Sequence, residues 1–203
     1  MNSASAPVVY SIGLRQRFRG LVERQGMLLE GPAGWGEFSP FDEYGTAESA
    51  AWLAAAREAV YLGWPTPVRD RIPVNVTIPA VDPETAARLV RESNGCRTAK
   101  VKVAEAGQSL AEDIARVAAV RDALGSNGRL RVDANGGWDV EEAARALKEL
   151  SAFDLEYAEQ PCQSVEELAR LRRRANIPIA ADESIRRAAD PYRVAALAAA
   201  DIA

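Results

Sequence analysis

The stretch Arg129-Leu-Arg-Val-Asp-Ala-Asn-Gly-Gly-Trp138 decides how the rest of the chain is read. A short apolar strand ends in an acid, Asp133, and turns at once on Gly136 and Gly137 into a helix. Two later strands end the same way, in Leu155-Glu-Tyr-Ala-Glu159-Gln-Pro161 and Ile179-Ala-Ala-Asp182-Glu-Ser184. An earlier one ends in lysines, Ala99-Lys100-Val-Lys102-Val103. A carboxylate at the tip of three successive strands, with lysines on the strand before, suggests a metal site with its base.

Around this stretch, strand and helix alternate from Ile72 onward. Strands are expected near 72–78, 98–104, 129–134, 155–160 and 177–182, and from Asp201; helices near 83–93, 110–124, 140–150, 165–174 and 191–199. The helix starts carry caps: Asp82 before Pro83, Ser109 with Glu112, Asp139 with Glu142, Ser164 with Glu167, and Asp190 before Pro191. Such a series implies parallel strands joined by right-handed crossovers. An open doubly wound sheet collects ligand groups at one switch point, whereas a closed barrel brings consecutive strand ends onto one centre at its C-terminal face. Lysine, Asp, Glu and Asp on four consecutive strands therefore select an α/β fold of the (β/α)8, TIM-like type. No Gly-rich dinucleotide fingerprint follows any strand. A barrel of this type needs about 250 residues and eight strands. Residues 72–203 supply five units and the start of a sixth strand, so the barrel is expected to be incomplete at the C-terminus in this chain.

Residues 1–71 read differently. Short strands at 8–12, 27–30 and 35–38, separated by Arg-rich and Gly/Pro turns, predict an antiparallel meander. Thr46 is expected to cap a helix running to Tyr61, and Pro65 and Pro67 lead into a linker over 65–71. The expected organisation is a small α+β domain at 1–71 and a barrel domain at 72–203.

Composition narrows the chemistry. The chain has 203 residues, 25 Lys+Arg against 29 Asp+Glu, a formal net charge of -4 and no histidine. That balance excludes a dedicated nucleic-acid binder and a polybasic membrane protein. The missing histidine excludes a Ser-His-Asp triad, a His-ligated zinc and a His base within these residues. Cys96 and Cys162 are too few for a disulfide framework, which points to a reducing cytoplasm. The start, Met-Asn-Ser-Ala-Ser-Ala-Pro, has no signal-peptide pattern, and no apolar run is long enough to span a bilayer.

Strand periodicity puts Lys100 and Lys102 on one face, likewise Asp133 and Asn135, and Tyr157 and Glu159. The intervals 102 to 133, 133 to 159 and 159 to 182 each match one βα unit, so the four groups are expected at equivalent heights. Strand-end acids also serve as helix caps or ion-pair partners, but three in register beside a lysine pair favour a shared site. Carboxylates converging without histidine or thiolate make a hard oxygen site, which selects Mg2+ or Mn2+ over zinc. A like charge at Lys100 and a nearby dication would lower the pKa of Lys102 and suit it to removing a proton α to a carboxylate. Glu183 reads equally as a second carboxylate behind Asp182 and as a solvated loop acid. Arg15, Arg17 and Arg19 read first as a solvated basic turn, with Arg19 the candidate to meet a substrate carboxylate.

These residues resemble the enolase superfamily, in which a Lys or His base works beside Mg2+. Lys100-Val-Lys102 is similar to that family's KxK motif. Asp133 in Asp-Ala-Asn, Glu159 in Glu-Gln-Pro and Asp182 in Ala-Asp-Glu-Ser are similar to its three metal ligands. The resemblance implies a capping domain at the N-terminus, announced by Gly34-Trp-Gly-Glu37, that reads a small-molecule carboxylate substrate. KxK is the signature of the muconate-lactonizing subgroup. Arg17-Phe-Arg-Gly20 and Gly36-Glu-Phe-Ser-Pro-Phe41 resemble its members that dehydrate a cyclohexadiene carboxylate in menaquinone biosynthesis. The same Lys and metal would serve an N-succinylamino-acid racemase or dipeptide epimerase, and a non-catalytic fragment is the third alternative. The family's second lysine, at the end of the sixth strand, would lie after Ala203.

Overall fold

Three strands begin the chain: β1 (Val8–Phe18), β2 (Leu21–Gly31) and β3 (Gly34–Phe38), in one antiparallel sheet of order β1-β2-β3. The computed structural model describes residues 6–18, 20–186 and 190–203. The chain divides into two compact units, Met1–Arg71 and Ile72–Ala203.

In the first unit the meander forms, but β1 and β2 run for 11 residues each. Arg15 and Arg17, expected in a turn, lie within β1. The register slips between Gly13 and Phe18, and the hairpin closes where Phe18 pairs with Leu21. Long polar side chains such as Arg15 and Arg17 are exposed there, so the strand extends without burying charge. α1 (Thr46–Tyr61) starts one residue earlier than expected. Gly45 takes the cap position with extended backbone and Thr46 is already helical. Ala56, Ala59 and Val60 of α1 are buried. The helix backbone approaches β3 because Gly36 lacks a side chain: a Cβ there would run into the Ala56 carbonyl oxygen.

The second unit alternates β4 (Val76–Ile78), α2 (Pro83–Arg91), β5 (Thr98–Lys102), α3 (Leu110–Leu124), β6 (Arg129–Asp133), α4 (Val140–Leu150), β7 (Leu155–Glu159), α5 (Val165–Arg172), β8 (Ile179–Ala180) and α6 (Asp190–Ala196). The five strands pair in parallel in chain order, β4-β5-β6-β7-β8. An unreversed order has no switch point, and right-handed crossovers then set the helices on one face. This is the wall of a (β/α)-barrel. Asp82, Ser109, Asp139 and Ser164 each accept a backbone N–H at a helix start, the last three in full capping boxes. Such caps stabilise by about 1 kcal/mol each.

Alternate residues of the wall, Ala99, Val101, Leu130, Val132, Ala158 and Ile179, are buried with Val117, Val120, Leu147, Leu150, Leu168 and Leu171 of the helices. Cys162 is buried too, and desolvation pushes its thiol up to about 12, which keeps it protonated and non-nucleophilic. The opposite face carries the polar residues.

Two strands are shorter than expected. Ile72 and Val74, each 71% exposed, precede β4, so the predicted alternation takes effect only from Val76. β8 keeps two residues, and beyond it Ala180 bridges Ile202 in parallel, where the expected sixth strand begins. One irregularity lies in β7: Leu155 stands opposite Leu130 and Tyr157 opposite Arg131, so Glu156 is an extra residue. Its carboxylate accepts from Arg131 at 2.6 Å and Arg129 at 3.2 Å, and the Arg131 guanidinium lies 4.8 Å from the Tyr157 ring centroid. Among the described residues no helix is long and apolar enough to cross a membrane.

Asp201 fastens the edge at β8: its carboxylate accepts from Arg172 at 2.6 Å and from the Ile179 N–H at 2.9 Å. The Arg172 hydrogen bond holds this carboxyl below its ordinary value. A depressed acid contributes stability that is complete above the unfolded value of about 3.9 and is lost as pH falls through the folded value. Urea melts from pH 6 to pH 3 should therefore show the protein losing stability more steeply below about pH 4 than Asp201→Asn.

Candidate active site

The strand register brings the ionisable groups together. Lys102 pairs with Asp133, and Asp133 with Glu159, across β5, β6 and β7. Lys102 Nζ donates to Asp133 Oδ2 at 2.5 Å and to Asn135 Oδ1 at 2.6 Å. Lys100 Nζ lies 3.1 Å from the same Asp133 oxygen and 2.7 Å from Glu159 Oε1. Both lysines, Asp133, Glu159 and Asn135 thus form one connected cluster.

Asp182 breaks the expected equality of height. The residue opposite Glu159 is Ala180. Asp182 follows two positions later, where the chain has left β8 for the short 3-10 turn Glu183–Ile185. Its carboxylate lies 3.6 Å from Arg186 and acts electrostatically on Glu159. Glu183 is brought in from the same turn: its Oε1 accepts from Asn135 Nδ2 at 3.0 Å and from Arg186 at 2.9 Å. Arg19 lies outside the described residues.

The electrostatics follow from who faces whom. Burial pushes the Asp133 carboxyl up, but the Lys102 hydrogen bond and both ammonium charges outweigh it and hold it below its ordinary value. Burial also pushes Glu159 up; Lys100 opposes, while Asp133 and Asp182 add to the rise, and its pKa stays raised. Lys100 is drawn down by burial, yet its bond to Glu159 and the charges of Asp133 and Glu159 prevail and raise it. Lys100, the like charge expected beside Lys102, is thus ion-paired to two carboxylates.

Local structure sets these groups. Asn135 adopts a left-handed φ of 46°, and its N–H donates to Asp133 Oδ1 at 3.0 Å, which fixes the carboxylate. The next turn is tight: a Cβ on Gly137 would lie 2.9 Å from both the Ala104 Cβ and its carbonyl oxygen. Gln160 was not singled out from the sequence. It is fully buried, with φ at 39°. Its Oε1 accepts from Asp182 N at 3.0 Å and Ser184 N at 3.2 Å, and its Nε2 donates to Cys162 O and Ser184 Oγ. This one amide ties the β7 end to the loop that carries Asp182 and Glu183. Nothing in its local sequence signals this role, because the backbone it holds lies 22 and 24 residues further on.

Among the described residues no three acidic, His or Cys side chains are gathered closely enough to cage a metal ion. The Lys100 ammonium bridges Asp133 and Glu159 instead. The donor set nonetheless fits a hard dication: Asp133, Glu159 and Asp182 are all carboxylates, and Glu159 is left short of positive charge.

Fold and site together define an α/β-barrel protein whose ionisable groups are concentrated at the C-terminal ends of its strands. The chain belongs to the enolase superfamily. The family model described as enolase C-terminal domain-like matches residues 83–203, and the one described as enolase N-terminal domain-like matches 9–60. It is 64% identical over 193 residues to an o-succinylbenzoate synthase of Thermobifida fusca, covering 95% of this chain and 61% of that protein. It is 55% identical over 196 residues to the o-succinylbenzoate synthase of Mycolicibacterium smegmatis, covering 96% and 60%. The chain thus spans about three fifths of the length of these curated relatives. Among solved structures, the L-Ala-D/L-Glu epimerase of Bacillus subtilis matches with TM-score 0.81 at 23% identity, covering 97% of this chain and 72% of that one. An o-succinylbenzoate synthase of Thermosynechococcus elongatus, with Mg in its active site, matches with TM-score 0.67 at 25% identity, covering 93% and 71%.

Replacing Gln160 by Leu leaves the buried Asp182 and Ser184 N–H groups without their acceptor. The expected cost is about 2–6 kcal/mol in urea unfolding, at about 1–3 kcal/mol for each orphaned group. Amide hydrogen exchange at Asp182 and Ser184 should accelerate selectively; unchanged protection at both would contradict the tethering role.

Proposed function

We propose that the protein acts as an o-succinylbenzoate synthase, dehydrating 2-succinyl-6-hydroxy-2,4-cyclohexadiene-1-carboxylate to 2-succinylbenzoate in menaquinone biosynthesis. The observation that carries this reading is the Lys102–Asp133–Glu159 register, in a chain 64% identical to a curated enzyme of that name. The partner is a small carboxylate, and the cysteine usage supports a cytoplasmic setting.

Asp133, Glu159 and Asp182 would hold Mg2+, with Mn2+ an acceptable substitute. When bound, the metal supplies positive charge to the substrate carboxylate, whose adjacent proton is thereby made more acidic. Lys102 is the base. Its Nζ sits at the strand end, oriented by Asp133 and Asn135, and takes the proton α to the carboxylate. The C–H electron pair moves into the ring, the C–O bond to the ring hydroxyl breaks, and the lysine returns its proton to the departing oxygen as water. No oxidant or reductant is needed, and the aromatic ring makes the second half downhill. Lys100 keeps a positive charge beside Glu159 and Asp133 rather than competing as a base. Asn135 and Glu183 brace the pair from the neighbouring loops.

In the protein expressed from its complete reading frame, Lys102→Ala should lower turnover by about 10^2–10^4-fold while calorimetric Mg2+ binding persists. Chelation should abolish activity and added Mg2+ restore it. In D2O the dehydration yields the aromatic product, whereas a racemase would give none and wash deuterium into recovered substrate. A near-normal rate in Lys102→Ala, or turnover indifferent to chelation, would overturn this reading.

A further inference from the structure

Behind the strand that carries Lys102 lies an ion pair that the chemistry above does not use. Asp113 and Arg116, on the first turns of α3, are each only 1% exposed. Arg116 Nη1 donates to the Lys102 carbonyl oxygen at 2.8 Å and to Asp113 Oδ1 at 2.8 Å. Its Nε donates to the Val81 carbonyl oxygen at 2.7 Å, and its Nη2 donates to Gln108 Oε1. Asp113 Oδ2 accepts the Ala104 N–H at 2.9 Å. One buried pair thus grips the chain after β4, the backbone of Lys102 itself and the turn that follows it.

That turn is conformationally unusual. Ala104 has a left-handed φ of 59°, which a residue with a Cβ adopts only when its surroundings impose it. Asp113 holds its N–H from one side, and the glycine turn after Asp133 closes on it from the other, with no room for a Cβ on Gly137. Between them, Val103 N donates to the Asp133 carbonyl oxygen at 3.0 Å. Two strand ends are therefore locked together at the residue carrying the base and the residue it meets. A buried ion pair is a poor source of stability compared with apolar packing of equal volume, but its directional bonds fix position.

We infer that Asp113 and Arg116 are positioning residues: by clamping the Lys102 carbonyl and the strained Ala104 turn, they set the reach of the Lys102 ammonium towards the reacting carbon. The inference rests on Lys102 being the base proposed above.

Two variants test it in the protein from its complete reading frame, loaded with Mg2+. Arg116→Lys keeps the charge and loses the fork. It should lower kcat by about 10- to 100-fold, the scale of a misplacement of about 1 Å, and leave KM and Mg2+ affinity within about twofold. Ala104→Gly removes the left-handed strain without touching a charge. It should melt at the same temperature or higher, yet lower kcat several-fold, a combination that a purely structural clamp does not produce. If Arg116→Lys fails to fold, Ala104→Gly decides alone. A kcat within about twofold of the parent in the folded variants, or KM and metal affinity worsening in step with kcat, overturns the inference.

If the parent itself does not turn the substrate over, the proposed reaction fails, and the clamp is read another way. After reductive 13C-methylation, the Lys102 signal, assigned by its loss in Lys102→Arg, should shift and average in both variants. A signal identical to the parent's overturns the clamp independently of any activity.

Discussion

Everything at the C-terminal edge of the barrel wall depends on keeping one fully buried carboxylate charged. Asp133 has no exposure to water, and an unpaired charge there would cost several kcal/mol. Two ammonium groups and the Asn135 N–H hold it in its ionised form. The alternation of the strands meets this requirement. It sends Ala99, Val101, Leu130 and Val132 to the helices and leaves Lys100, Lys102, Arg131 and their acid partners on the other face. The same period that builds the core therefore builds the site, and neither can be shifted without the other.

Stability and positioning are divided between the two faces. The helix side is dense and apolar, and burying a Leu or Ile side chain there is worth about 1.5–3 kcal/mol. The polar side gathers acids and bases whose mutual attraction is largely spent on removing them from water. What the polar side contributes is direction. Gln160 and Asn135 fix the strand ends there, and the Asp113–Arg116 pair does so from the helix side, each through several bonds at once. The left-handed residues Ala104, Asn135 and Gln160 sit at these ends, where local backbone preference gives way to placement.

Much of this was legible in the sequence because it rests on short-range rules. Caps at Ser109, Asp139 and Ser164 mark where helices begin, and acids closing apolar runs mark where strands end. The grouping of Lys102, Asp133 and Glu159 follows from regular spacing alone. What escaped depends on partners distant in the chain. Ile72 and Val74 alternate as well as Val76 does, yet stay out of β4. Regular spacing also placed Asp182 level with Glu159, whereas β8 stops two residues short of it. Arg116 reads as one more helix arginine until its carbonyl partners, 35 and 14 residues away, are known. Gln160 is silent for the same reason, since the backbone it holds lies 22 and 24 residues further on.

The extra residue in β7 has a consequence for how this sequence can change. With Glu156 absorbed as a bulge, Tyr157 stands opposite Arg131 and Glu159 opposite Asp133. Were Glu156 paired in the ladder instead, Ala158 would stand opposite Asp133, and every side chain beyond would point to the other face. The strand therefore behaves like a vernier set one notch off: losing the bulged residue itself would leave Tyr157 opposite Arg131 and Glu159 opposite Asp133, whereas losing Tyr157 or Ala158 from the paired part would exchange what is shown to the helices for what is shown on the polar face. Changes of length in this segment are tolerated at the bulge and nowhere else along the paired residues.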